Sequence, residues 1–169
     1  MDSLTILAPA FNEEKNIIPF LSHFYEKLEN NWEILIVNDG SNDGTGKVLT
    51  EIKNDYPNLR VISHEFNKGI GKAFETGFKN INTDYVITID ADLSHTFSVV
   101  DELYKNRNKA DVVIASMNDE KSDFSNASKI RVLIAKIGNY FISKLIGVKV
   151  HEVAGGPRIY KADKIKNLQ

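Results

Sequence analysis

Short, nearly continuous apolar runs alternate along the chain with longer stretches in which apolar residues return every three to four positions. The runs Leu4–Ala8, Glu33–Asn38, Leu59–His64, Tyr85–Asp90 and Asp111–Ala115 predict strands covered on both faces. The intervening stretches predict helices over Glu14–Glu29, Thr45–Asp55, Ile70–Asn80 and Ser98–Asn108. In the first of these, Ile17, Ile18, Phe20, Leu21, Phe24 and Leu28 form a helical stripe. Asn12 before Glu14, and Ser41–Thr45, read as helix entries with capping residues. Strand–helix alternation implies an α/β fold, a Rossmann-like and mainly parallel sheet flanked by helices. No repeats or Pro/Gly linkers interrupt the pattern, so residues 1–169 read as a single domain.

In such sheets, ligands sit beyond the carboxyl ends of the strands. Polar loops follow four of the strands directly: Pro9–Glu14, Asn38–Gly44, Asn67–Lys72 and Asp90–His95. They converge on one edge of the sheet. In an extended segment, residues two apart point the same way, so Asp90 and Asp92 can face one ion. Hard carboxylate oxygens suit Mg²⁺ or Mn²⁺ held jointly with substrate phosphates. The same residues also read as a strand end with a turn aspartate and a helix cap. Asp39 is placed either to accept hydrogen bonds from a base or ribose, or to close a tight Asp-Gly turn. Gly69 and Lys72, at a helix start, offer backbone N–H groups and a cation to a phosphate. Phe74 stands where a dinucleotide fingerprint would need its third glycine. His95 reads as a turn or core residue, and His23, His64 and His151 lack metal-like spacing.

Charge sharpens the picture. The net charge is −2, but residues 124–169 hold nine Lys or Arg against two acids, a balance of +7 that leaves −9 for residues 1–123. A basic end on an acidic body fits an anionic partner, such as phosphate or a lipid surface, or a plain solvated helix edge. Residues 128–150 combine that charge with an apolar face (Ile130, Leu133, Ile134, Ile137, Phe141, Leu145, Ile146), as in helices that lie on membranes or pack on a core. Cysteine is absent, which excludes disulfides and cysteine-ligated metals and fits a reducing compartment. With no basic leader and no long apolar stretch, the expected location is cytoplasmic, or peripheral on the cytoplasmic membrane face.

Ala8-Pro9-Ala10-Phe11-Asn12-Glu13, Ile36-Val37-Asn38-Asp39-Gly40-Ser41 and Ile89-Asp90-Ala91-Asp92 together resemble the nucleotide-binding loops of family 2 inverting glycosyltransferases, which have the A-type nucleotide-diphospho-sugar transferase fold. Asp90-Ala91-Asp92-Leu93 with His95, and Gly155-Gly156-Pro157-Arg158-Ile159-Tyr160, most resemble the polyprenyl-phosphate branch, which includes dolichol-phosphate mannose synthases. The resemblance implies that Pro9, Ala10, Asn12 and Glu13 lie around the nucleoside, with Asp39 at the base. It implies that Asp90 and Asp92, with Ser94 or water where the branch has glutamine, coordinate the cation beside Ala91. Arg131 and Arg158 resemble family arginines that contact phosphate, and Asn139 matches a recurring asparagine. Ser116-Met117-Asn118 replaces an expected arginine, and His151–Arg158 replaces the motif D-x-T-S-G-F-R.

The activity so implied is transfer of a sugar from a UDP- or GDP-sugar to a polyprenyl-phosphate acceptor at the membrane surface, with Asp92, Arg131 and Arg158 as catalytic residues and Mg²⁺ or Mn²⁺ as cofactor. A phosphate monoester is already anionic at neutral pH and needs no strong base, whereas a hydroxyl acceptor does. The late acids lack the Glu-Asp dipeptide of hydroxyl-acceptor relatives. Transfer to a saccharide hydroxyl and a non-catalytic nucleotide-sugar-binding domain are the alternatives. A nucleotidyltransferase is disfavoured because no Gly-rich loop follows the first strand. No nucleic-acid partner is expected, while an oligomer or membrane partner is. Relatives of this branch continue past the position of Gln169, so a domain shortened at its C-terminus is expected.

Overall fold

The computed structural model describes residues 2–115 and 156–165. The chain divides into two compact units, Met1–Val113 with Pro157–Gln169, and Ile114–Gly156. Six strands form one sheet: β1 Leu4–Ala10, β2 Trp32–Asn38, β3 Leu59–Ser63, β4 Tyr85–Thr88, β5 Val112–Ile114 and β6 Arg158–Lys161. Their order is β3-β2-β1-β4-β6-β5. β1 pairs in parallel with β2 and β4, and β2 with β3. The helices are α1 Ile17–Tyr25, α2 Thr45–Ile52, α3 Ile70–Lys79, α4 Phe97–Asn106 and α5 Ala162–Ile165.

The expected α/β architecture is present, with differences at the ends of elements. α1 starts at Ile17 rather than Glu14, because Glu14–Asn16 form a turn. Asn12 does not cap α1, whose N-cap residue makes no side-chain hydrogen bond, whereas within Ser41–Thr45 the Asp43 carboxylate accepts from Thr45 N–H at the start of α2. β4 ends at Thr88, and the chain turns just after Asp90, at Ala91 and Asp92. β6 was absent from the expected strands, and it runs antiparallel to β4. Its alternation is visible only in the four residues Arg158-Ile159-Tyr160-Lys161, of which Ile159 is buried.

β1 and β2 are almost wholly buried, as their unbroken apolar runs require. Ile17, Phe20, Leu21 and Phe24 of α1 form its buried stripe. Leu7, Leu35, Val37, Ala73, Ile81, Val86 and Ala162 cluster in another part of the core. α3 approaches β1 closely at Gly77, where a Cβ would stand 2.4 Å from Leu7 Cδ1. The result is a buried parallel centre, with β1, β2 and β4 delivering their carboxyl ends side by side. Running the other way, β6 delivers its first residue, Arg158, to that same edge, in register with Thr88.

Candidate functional site

The loops after β1 and β2 are stitched to each other. Asn12, with a left-handed backbone (φ 59°), donates its N–H to Ser41 Oγ at 3.0 Å and accepts from Asn42 N at 2.8 Å through Oδ1. The Ser41 hydroxyl in turn donates to Asn38 Oδ1 at 2.6 Å. Glu13 N–H donates to Thr45 Oγ1, and Glu14 N–H to Asp43 Oδ2. At the start of α2, Glu14 accepts from Gly44 N–H and Asp43 from Thr45 N–H. Burial pushes the Asp43 carboxyl up, but these hydrogen bonds outweigh it and hold the group below its ordinary value. Asn12 is thus a staple between loops, which explains why so polar a stretch is well formed.

Asp39, at the end of β2, is 3% exposed. Its Oδ1 accepts from His64 Nδ1 at 2.6 Å and from Lys68 N–H at 3.0 Å, and its Oδ2 accepts from Gly69 N–H at 2.8 Å. Burial raises the pKa, yet the Lys68, His64 and Gly69 donors together bring it below the ordinary carboxylate value. The group is therefore held as an ionised acceptor. Gly69 is expected from the sequence to face a phosphate. Its amide, with that of Lys68, already faces an anion, and that anion is the protein's own carboxylate. The Lys72 ammonium is paired with Glu75 at 2.7 Å on the exposed face of α3.

After β4, Asp90 and Asp92 follow on opposite sides of the buried Ala91. The Asp90 carboxylate reaches solvent but is crowded by protein. That crowding, and then repulsion from Asp92, push its pKa up, with His95 opposing. Asp92 Oδ1 accepts from Ser94 N–H at 2.9 Å, and Leu93 between them takes a left-handed backbone (φ 62°). Burial lowers the His95 pKa against the pull of Asp90 and Asp92. Among the described residues, no group of three or more acids or histidines is gathered to hold an ion. Two hard oxygen donors that repel each other nevertheless fit a divalent cation whose remaining ligands come from a diphosphate.

These loops enclose a pocket of about 290 Å³, near the lower end of small-molecule sites. Pro9, Ala10, Glu13, Asp39, Asp90, Ala91 and Asp92, all expected from the sequence, line it. Asn12, Gly69, Lys72 and Ser94 are not on its wall. Arg158 stands in register with Thr88, two residues before Asp90. Arg131 and Asn139, like Ser116–Asn118 and His151, lie outside the described residues. Sequence reasoning missed Phe11, Asn67, Ile70 and Ala73 on the wall, and His64 behind Asp39. Phe11 and Ile70 had a signal: each is a large apolar residue in a polar loop or helix start, and they are 41% and 61% exposed.

Residues 5–169 match the model described as Glycosyl transferase family 2. The chain belongs to that family. It is 32% identical, over 165 residues, to a dolichyl-phosphate beta-glucosyltransferase of Trichomonas vaginalis, covering 88% of this chain and 46% of that protein. It is 29% identical, over 152 residues, to a dolichol-phosphate mannosyltransferase of Pyrococcus furiosus, covering 89% and 43%. The chain thus spans about half the length of the curated relatives it matches. Its fold is similar to a mannosyltransferase of Pyrobaculum calidifontis in complex with GDP-Man and Mn²⁺, with TM-score 0.70, 19% identity and coverage of 99% and 46%. It is also similar to a Mycobacterium tuberculosis glucosyl-3-phosphoglycerate synthase bound to Mn²⁺, UDP and glucosyl-3-phosphoglycerate, with TM-score 0.72, 18% identity and coverage of 96% and 57%. These likenesses place the fold among nucleotide-sugar transferases of the A type, and the sequence relatives point to the dolichol-phosphate branch of the family.

Proposed function

We propose that this chain carries the donor site of an inverting glycosyltransferase that moves a sugar from UDP or GDP to a polyprenyl phosphate such as dolichyl phosphate. The observation that carries the reading is one pocket lined by Asp39, Asp90 and Asp92 together. Asp39 supplies a fixed acceptor for base or ribose donors at one side. Glu13 and Phe11 close the nucleoside end, one polar and one aromatic. Asp90 and Asp92 would hold Mg²⁺ or Mn²⁺, with diphosphate oxygens completing the shell. When bound, such an ion supplies neutralising charge at the leaving diphosphate. Arg158, on β6 beside β4, adds a cation at the same end of the sheet, and Arg131 is proposed as a second.

The acceptor half rests on chemistry and on relatedness. An anionic phosphate attacks without a general base, and no Glu-Asp dipeptide is present to serve a hydroxyl. Two of the sequence relatives are named for dolichyl or dolichol phosphate. Calorimetric titration of UDP- and GDP-sugars with Mn²⁺ tests the donor site, and extraction of a labelled sugar into a polyprenyl-phosphate product tests the acceptor. Metal-independent donor binding, or a product formed only on a saccharide, defeats the respective half.

A further inference from the structure

His64 does more than fill space behind the pocket. Its Nδ1 lies 2.6 Å from Asp39 Oδ1, and its Nε2 lies 2.9 Å from Thr76 Oγ1, on α3. The His64 and Asp39 side chains are 6% and 4% exposed. An ionised carboxylate only accepts, so Nδ1 carries a proton toward Asp39, and Nε2 meets the Thr76 hydroxyl, which can serve it as donor or acceptor. The imidazole is thereby fixed at both nitrogens, between the end of β3 and the middle of α3.

The Asp39 carboxylate takes three donors among the described residues: two on Oδ1, one on Oδ2. A carboxylate has about four acceptor positions, so one remains for a ligand in the pocket that Asp39 lines. The direction of that position depends on what holds the other three. Lys68 lies in the loop and Gly69 caps α3, whereas His64 follows the end of β3 and reaches the middle of α3 through Thr76. His64 is therefore the one side chain among the three donors, and it ties Asp39 to both β3 and α3.

We propose that His64, braced by Thr76, is a positioning residue that aims Asp39 as an acceptor-only reader of the nucleobase, admitting uracil and guanine over cytosine and adenine. The inference rests on the donor-site reading above. Uracil N3–H and guanine N1–H donate to a carboxylate; the matching ring nitrogens of cytosine and adenine present lone pairs and are repelled. A site built to receive a donor discriminates strongly against a ligand that lacks one.

The test compares UDP with CDP, and GDP with ADP, by calorimetry in the presence of Mn²⁺, on the full chain. The wild type should prefer UDP or GDP by about tenfold or more over its amino-base counterpart. His64→Asn places an amide nitrogen where Nδ1 was and should keep the preference. His64→Gln places it near Nε2, retains the reach to Thr76, and should let the preference collapse to within about threefold. The preference is a ratio of affinities within one variant, so general loosening of the fold does not by itself move it. Circular dichroism confirms that each variant is folded, and Thr76→Val, which removes only the brace, should lie between the two. Equal preferences in the Asn and Gln variants overturn the role of His64 while leaving the donor site intact. A wild type that binds none of the four nucleotides overturns the donor-site reading, and this inference with it.

Discussion

The backbone carbonyl carbon of Phe66 stands 2.1 Å from where a Cβ on Gly40 would lie. Gly40 also has φ 64°, so two independent constraints exclude a side chain there. The contact marks where the loop after β2 crosses the loop before α3, one residue beyond Asp39. Gly40→Ala should therefore cost roughly 2–4 kcal/mol in denaturant unfolding. Gly71→Ala is the control. It is an exposed helix position with nothing within 4 Å of the new Cβ, and it should stabilise by roughly 0.5–1 kcal/mol. Equal effects at the two sites would remove the steric argument.

The parallel centre of the sheet was legible because a strand buried on both faces has to be apolar throughout, as in Leu35-Ile36-Val37. Once strand ends were located, Asp39, Asp90 and Asp92 followed, since ligand loops leave the carboxyl edge. β6 escaped because four residues carry too little alternation, and because antiparallel insertion depends on partners distant in sequence. Gly69 and Lys72 are hard to read for a different reason. A Gly-Lys helix start has the composition of a phosphate loop, but composition does not reveal that a distant carboxylate has already taken the amides. His64 was invisible for the same reason: its partner Asp39 lies far away in sequence and meets it only through the β2–β3 pairing.

Asp39 and Asp43 make stability depend on pH in a stated direction. Both carboxyls sit below their ordinary values in the fold, burial opposing the shift and hydrogen bonds prevailing. Their contribution is therefore present above the unfolded value, about 3.9, and is lost as pH falls through the folded values. Denaturant midpoints should hold from neutral pH down to the unfolded carboxylate range and decline below it. Asp39→Asn should be less stable than wild type at pH 7, and the gap should narrow at pH 3. A gap that widens on acidification would reverse the assigned shift.

Charge in the sequence predicts a second, separable behaviour. Residues 129–149 hold Lys129, Arg131, Lys136, Lys144 and Lys149 and no acid. Each cation near an anionic bilayer is worth about 1 kcal/mol and weakens with salt. The chain should sediment with anionic vesicles at low salt and be released at high salt. Lys136→Glu with Lys144→Glu should weaken that association and leave donor binding unchanged. Vesicle binding insensitive to salt and to charge reversal would assign these lysines to a solvated rim.

The Asp90–Asp92 pair should trade metal-free stability against ligand binding. Crowding by protein, then repulsion from Asp92, raise the Asp90 pKa, so at neutral pH the ionised pair is under electrostatic strain while no cation is bound. Asp92→Asn keeps the shape of the loop, including an oxygen able to accept from Ser94 N–H, and removes the repulsion. In EDTA its thermal midpoint should equal or exceed that of the wild type. With two carboxylates gathered among the described residues, the wild type should bind Mn²⁺ weakly alone and more tightly with UDP or GDP, and linkage requires Mn²⁺ to tighten the nucleotide by the same factor. Asp92→Asn and Asp90→Asn should each reduce that coupling by roughly tenfold or more. Asp39→Ala should weaken nucleotide binding even in EDTA, by roughly 1–3 kcal/mol, because its proposed partner is the nucleoside and not the ion. Mn²⁺ that leaves nucleotide affinity unchanged in the wild type would separate the acid pair from donor binding, and a destabilised Asp92→Asn in EDTA would make that side chain structural.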